Sequence, residues 1–155
     1  MIRPVTPDDA PAVVALAVDS ELFPPDEAGV VEALLDELFG GRAEQGHTCR
    51  VDEEDGALRA VAYYEPVAAT DRAWELLMIG VRRDRHRTGL GGRLLRHVED
   101  DLRDRGQRLL LVQTSADPAF DRARAFYAAL GYDEEARVRD YVADGDDMVL
   151  FRRAL

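Results

Sequence analysis

The sequence predicts an α/β protein, α+β in its segregation, with one mixed, mostly antiparallel central sheet of about seven strands and four helices in the order βααβββαβαββ. Three observations carry this. Continuous apolar runs, Leu76-Leu-Met-Ile-Gly-Val81 and Leu109-Leu-Leu-Val112, mark buried strands. Amphipathic stretches alternate with strands and are punctuated by glycine and proline. A length of 155 residues, 46% hydrophobic and 33% charged, fits a single domain over residues 1–155.

In chain order, Ile2 to Thr6 reads as a short edge strand. Thr6-Pro-Asp-Asp then has the chemistry of a helix start, with Thr6 as cap, Pro7 at the first position and acids in the first turn, so a helix runs to about Val18. The paired prolines of Glu21-Leu-Phe-Pro-Pro-Asp-Glu27 break it, because neither can donate to a helical ladder. Val30, Val31, Leu34, Leu35 and Leu38 mark a second helix that stops at Gly40-Gly41. His47 to Asp52 and Leu58 to Pro66 flank Glu53-Glu-Asp-Gly56 and form an antiparallel hairpin. Trp74 to Arg82 is the fourth strand, whose unbroken apolar run predicts cover on both faces. Leu90, Leu94, Leu95, Val98 and Leu102 recur at helical spacing up to Gly106. After the strand at Leu109, Asp117-Pro118 opens a helix with Ala123, Phe126, Tyr127 and Leu130 on its apolar side, ended by Gly131. A closing hairpin turns at Asp144-Gly145-Asp146.

Thirty-one acidic residues against twenty basic give a net charge of −11, which argues against nucleic acid as a partner. No run approaches the ~20 apolar residues of a membrane span, and no signal-peptide core follows Met1, so a cytoplasmic location with no membrane partner is expected. Cys49 is alone, which excludes an internal disulfide and fits a small core residue. His86 and His97 have no partner at ligand spacing, so no metal site is expected. His97 reads as the exposed flank of a helix beside Arg96 and Glu99, and Ser115 lacks a nucleophile elbow.

Against this acidic background, Val81-Arg-Arg-Asp-Arg-His-Arg-Thr-Gly-Leu-Gly-Gly-Arg93 concentrates arginine where a strand gives way to a helix. Gly89, Gly91 and Gly92 remove side chains at the helix start, leaving outward N–H groups at the positive end of the dipole. The pattern is a phosphate cradle. It is not a Walker loop, since the chain has no lysine, nor a dinucleotide fingerprint, since Leu94 stands where a third glycine is needed.

The segment His86-Arg-Thr-Gly89-Leu-Gly91 resembles the acyl-CoA loop of the GNAT acetyltransferases, Gln/Arg-x-x-Gly-x-Gly/Ala, with His86 where that family prefers Gln or Arg. A second anchor, Ala125-Phe-Tyr-Ala-Ala-Leu-Gly-Tyr132, is similar to its Ala-x-x-Phe-Tyr-x-x-x-Gly-Phe segment. The resemblance covers the whole chain and implies a splayed fourth and fifth strand pair. It implies acetyl-CoA as acyl-donor co-substrate, with the pyrophosphate on His86, Arg87, Thr88, Gly89, Leu90, Gly91 and Gly92 and the pantetheine arm along Ile79, Gly80 and Val81. Gly80 serves either that close approach or core packing. A homodimer is compatible with it.

In the family the position of Tyr127 points a hydroxyl at the CoA sulfur and protonates the leaving thiolate; the alternative is a core tyrosine. Glu75, at the start of the fourth strand, stands where several members place a base for the acceptor amine; the alternative is a solvated strand-end carboxylate. Phe120 replaces an asparagine common in the family. The implied acceptor site lies at Glu21 to Glu27, with Glu21, Phe23, Asp26 and Glu27 as candidates, and at Arg139 to Asp147, where Asp144, Asp146 and Asp147 add acids suited to a cationic amine. Three functional classes remain: a small-molecule or peptide N-acetyltransferase, a non-catalytic acyl-CoA sensor, and a binding module whose glycine turn is structural.

Overall fold

A computed structural model describes residues 1–22 and 25–155. Its strands are β1 (Ile2–Pro4), β2 (Thr48–Glu54), β3 (Ala57–Pro66), β4 (Ala73–Val81), β5 (Leu109–Ser115), β6 (Asp133–Ala143) and β7 (Asp146–Ala154). Its helices are α1 (Ala10–Asp19), α2 (Ala28–Phe39), α3 (Leu90–Asp104) and α4 (Asp121–Ala129). The strands form one sheet in the order β1-β2-β3-β4-β5-β7-β6, and every neighbouring pair is antiparallel except β4 with β5.

The sheet divides two cores. Side chains alternate across a strand, so Tyr63 joins Val13, Leu16, Val31 and Leu35 under α1 and α2, while Tyr64 joins Leu94, Leu95, Val98 and Tyr127 under α3 and α4. Cys49 is 3% exposed in the first of these. The β2–β3 hairpin closes through Asp55 and Gly56, both at positive φ (52° and 78°), the geometry of a two-residue primed turn.

Two expectations need correction. β5 continues to Ser115, three residues past its apolar run, because β7 pairs with it along its whole length. The β4 run is not covered on both faces throughout: Leu77 is 37% exposed and Ile79 and Val81 are half-buried. A β-bulge causes this. In the pairing with β3, Tyr63 faces Met78 and Tyr64 faces Leu76, so Leu77 is the extra residue and everything beyond it is re-aimed.

The cradle helix is anchored by a buried charge. Asp52, fully buried on β2, accepts from Arg59 of β3 at 2.8 Å, from Arg93 in the first turn of α3 at 2.8 Å, and from the Met1 amine at 2.9 Å. Burial pushes its carboxyl up, but the hydrogen bonds and charges of the amine and Arg59 outweigh this and hold it below the usual carboxylate range. Asp52→Asn keeps the volume and removes the charge. We expect a loss of about 2 kcal/mol at neutral pH, below the ~3–5 kcal/mol of a fully buried broken pair because Arg93 is half exposed. A depressed folded-state pKa stabilises above the unfolded value and is lost as pH falls, so the gap between variant and parent should close below about pH 4. Urea unfolding at several pH values checks this; a neutral-pH gap under about 0.5 kcal/mol would reduce the cluster to surface pairing.

Candidate active site

The junction of β4 and α3 is built as the glycine pattern requires. Gly89 caps α3 at φ 80°, the left-handed region, and a Cβ there would meet nothing within 4 Å. Arg87 is also left-handed, at φ 61°. The first helical backbone bond runs from the Arg93 N–H to the Gly89 carbonyl, so the N–H groups of Leu90, Gly91 and Gly92 have no partner within the helix. Among the described residues, those of Arg87, Thr88 and Gly89 donate to no carbonyl either. Six successive N–H groups are therefore available at a positive helix end, which suits a pyrophosphate.

The nearby arginines are mostly committed. Arg82 pairs with Asp84, Arg83 with Glu21, and Arg85 with Glu54, while Arg87 makes no ion pair among the described residues. His86 uses Nε2 on the Val81 carbonyl at 2.7 Å, which makes it a brace for the end of β4. Thr88 donates its hydroxyl to the Arg85 carbonyl at 2.6 Å. A Cβ on Gly91 would point back at Phe126 and Val81, each 3.4 Å away, so this glycine admits α4 as well as exposing backbone. A Cβ on Gly80 would meet Leu22 at 2.5 Å and Ser20 at 2.9 Å. The packing alternative therefore has a concrete cause: Gly80 lets the end of α1 lie on β4.

β4 and β5 splay. Their parallel register holds for four pairs, Ala73 to Leu76 against Leu109 to Val112, and no pairing follows. A cleft of ≈ 310 Å³ opens where they part. Leu77, Met78 and Ile79 line one wall, Val112 to Ser115 the other, and Tyr127 and Phe120 contribute from the α4 side. The edge of β4 from Leu77 to Val81, apart from the Val81 carbonyl that His86 meets, is open to an extended ligand as a further strand.

Tyr127 differs from the other buried tyrosines. Tyr63 meets His47 at 3.0 Å, Tyr64 donates to Asp101 at 2.5 Å, and Tyr132 donates to Glu99 at 2.7 Å. The Tyr127 hydroxyl has no hydrogen-bond partner among the described residues, although its ring is packed by Phe126, Tyr132 and Phe151. Burial pushes it well above the ordinary tyrosine value, so the proton is retained. A held proton facing a cleft is what a general acid needs.

Glu75 is opposite Glu65 across the β3–β4 pair and belongs, by alternation, to the α1 and α2 side of the sheet. Burial, and then the like charge of Glu65, raise its pKa above the usual value, while Glu65 itself meets His47 at 3.0 Å. Glu75 does not line the cleft. It stands two residues before Leu77, about 7 Å along the strand, so contact with an amine there requires a water.

The acceptor candidates fare less well. Glu21 is tied to Arg83 at 2.5 Å, and Asp26 and Glu27 are exposed on a short turn away from the cleft lining. Phe23 lies outside the described residues. Asp146 accepts from Ser115 at 2.5 Å and Asp147 pairs with Arg137 at 2.7 Å. The residues of these two segments that do line the cleft, Leu22, Tyr141 and Val142, carried no sequence signal beyond apolarity in a region read for its acids. Glu99, read as part of an exposed flank, is 4% exposed because Tyr132 reaches it from 33 positions away.

With this geometry in view, relatives are informative. The chain belongs to the acetyltransferase (GNAT) family, whose model matches residues 14–132. It is 33% identical to a crystal structure of a candidate GNAT-family acetyltransferase from Desulfovibrio desulfuricans, covering 99% of this chain and 98% of that one with a TM-score of 0.94. The ribosomal-protein-S18-alanine N-acetyltransferase of Escherichia coli shares the fold at 24% identity, 99% and 92% coverage and a TM-score of 0.77. A candidate acetyltransferase from Salmonella typhimurium, solved with acetyl-CoA, shares it at 18% identity, 100% and 93% coverage and a TM-score of 0.79. Among curated proteins, none matches the chain. No helix of the described residues is long and apolar enough to cross a membrane.

Proposed function

We propose that the protein is an N-acetyltransferase that moves an acetyl group from acetyl-CoA to a primary amine by direct attack in a ternary complex. The observation that carries this is Tyr127, whose unpartnered hydroxyl faces the cleft of a family fold with an intact anion cradle. Acetyl-CoA supplies an activated thioester. The chain's own residues do the rest. The N–H groups from Arg87 to Gly92 hold the pyrophosphate, and Arg87 is the loop cation left free to meet it. The β4 edge from Ile79 to Val81 aligns the pantetheine arm so that the reacting carbon is held near Tyr127, replacing an encounter by a positioned contact. Glu75 takes the proton of the amine through water, and Tyr127 gives its proton to the departing sulfur.

A ligand bound only by the folded state stabilises it by RT ln(1 + [L]/Kd), about 2.7 kcal/mol at a hundredfold excess over Kd. For a chain of this size that is a rise in Tm of about 5–10 °C, at roughly 2–4 °C per kcal/mol. Thermal unfolding with acetyl-CoA, CoA and dephospho-CoA measures it. No shift at millimolar acetyl-CoA would sink the donor assignment, and thiol release across an amine panel then distinguishes transfer from sensing.

A further inference from the structure

We infer that the acceptor is a primary amine carried on an apolar or aromatic body, and not a polyamine or other polycation; this rests on the transferase reading above. None of the fifteen residues lining the cleft is Asp, Glu, Lys, Arg or His. The chain has 31 acidic residues and a net charge of −11, so an acid-free cleft departs sharply from the rest of its surface. Of the acids adjoining the lining in sequence, Glu21 pairs with Arg83 and Asp147 with Arg137, Asp146 accepts from the hydroxyl of Ser115, and Glu75 is set back from Leu77 by two residues.

Apolar surface, by contrast, is concentrated there. Among the described residues eight large apolar side chains are exposed, and four of them, Leu77, Phe120, Tyr141 and Val142, line this cleft. Exposed apolar surface gathered into one concavity marks a binding site. Two of the four are presented by a purpose-built irregularity. Between the pairs Val138–Met148 and Ala143–Asp146, β6 has four residues, Arg139 to Val142, against Asp147 alone on β7. The excursion is pinned by the Asp140 N–H donating to Asp147 at 2.9 Å and by the Gly145 N–H donating to Asp140 at 2.8 Å, with Asp140 at φ 56°. Hydrogen bonds thus fix the excursion that brings Tyr141 and Val142 to the cleft, whose lining also includes Leu22 and Met78.

The chemistry agrees with the lining. Only the neutral amine attacks, and a cleft without carboxylates offers an ammonium nothing in return for its lost water. Desolvation therefore lowers the amine's pKa and favours loss of its proton to solvent on entry, leaving Glu75 ionised to take, through water, the proton the nitrogen sheds as it attacks. A second ammonium on the same molecule would pay that desolvation with no compensation.

The test is kcat/KM with acetyl-CoA across linear alkylamines from propyl to hexyl, 2-phenylethylamine, 1,4-diaminobutane and lysine. Expected is a rise of about fourfold per methylene, the fold-change equivalent to ~0.8 kcal/mol per buried CH₂, with the diamine at least tens-fold below pentylamine. Tyr141→Asp, on an exposed strand where folding is not at stake, should lower hexylamine turnover and raise that of the diamine while leaving the KM for acetyl-CoA unchanged. Diamine or lysine matching the alkylamines overturns the inference. So does a rate that climbs with acyl length, from acetyl- to hexanoyl-CoA, and is flat in the amine, since the lining would then serve the donor. Turnover confined to polar amines would sink this inference alone, whereas no turnover with any amine would sink the transferase reading with it.

Discussion

Tyr127→Phe should lower kcat by about 10², the lower end of the 10²–10⁴ range for general acid catalysis, with acetyl-CoA affinity nearly unchanged. The substitution removes one hydroxyl and keeps the ring that packs on Phe126, Tyr132 and Phe151. Because that hydroxyl has no partner among the described residues, its loss orphans no buried group, and stability should stay within about 0.5 kcal/mol or improve slightly. This contrasts with Tyr64→Phe and Tyr132→Phe, which would each take one hydrogen bond from an acid, Asp101 or buried Glu99, and should cost more in stability than in turnover. The lower end is expected for Tyr127 because a thiolate departs tolerably well unprotonated. The measurement is kcat per folded molecule against Tm for the three variants. Unchanged turnover in Tyr127→Phe would remove it from the mechanism and leave solvent as the proton source.

The geometry of the turn from β4 to α3 was legible in the sequence because its physics is local: glycines, a helix start and arginines all lie within thirteen consecutive positions. The element order was legible for a related reason, since period and punctuation are read a few residues at a time. The splay that opens the cleft was implied only by the family resemblance, and most of its lining was not legible, because it is assembled from Leu22, Leu77, Phe120 and Tyr141, four segments far apart in the chain. The β4 run shows how such assembly misleads. Six apolar residues read as a strand buried on both faces, whereas the bulge at Leu77 and the splay from β5 turn half of them into the wall of a site. Glu99 was read beside an exposed helix flank, and it is buried because Tyr132 reaches it from 33 positions away; Asp52, given no role in the sequence, is buried where Arg59 of the adjacent strand and the distant Arg93 satisfy it. Of the acceptor-segment acids, Glu21 and Asp147 are paired with arginines that lie far from them in sequence or on the facing strand.

Glu75→Gln should lower kcat/KM by about 10² and, more tellingly, change how activity depends on pH. The productive state needs Glu75 ionised and the amine neutral, two proton losses. Below the pKa of Glu75 log kcat/KM should therefore rise with slope two, and above it with slope one until the amine itself is deprotonated. The glutamine variant should show slope one throughout. Burial and then Glu65 raise the Glu75 pKa, so Glu65→Gln, by removing the like charge, should move the break in slope to lower pH while leaving its form intact. The sign is fixed by electrostatics, because a negative neighbour favours the protonated carboxyl and its loss favours the carboxylate. His47, which meets Glu65 at 3.0 Å, would lose an acidic partner in that variant, so His47→Gln serves as the control for changes transmitted through it. Wild-type slope of one across the whole acid range, with Glu75→Gln within twofold of the parent, would leave Glu75 a strand-end carboxylate and hand amine deprotonation to the apolar cleft and bulk water.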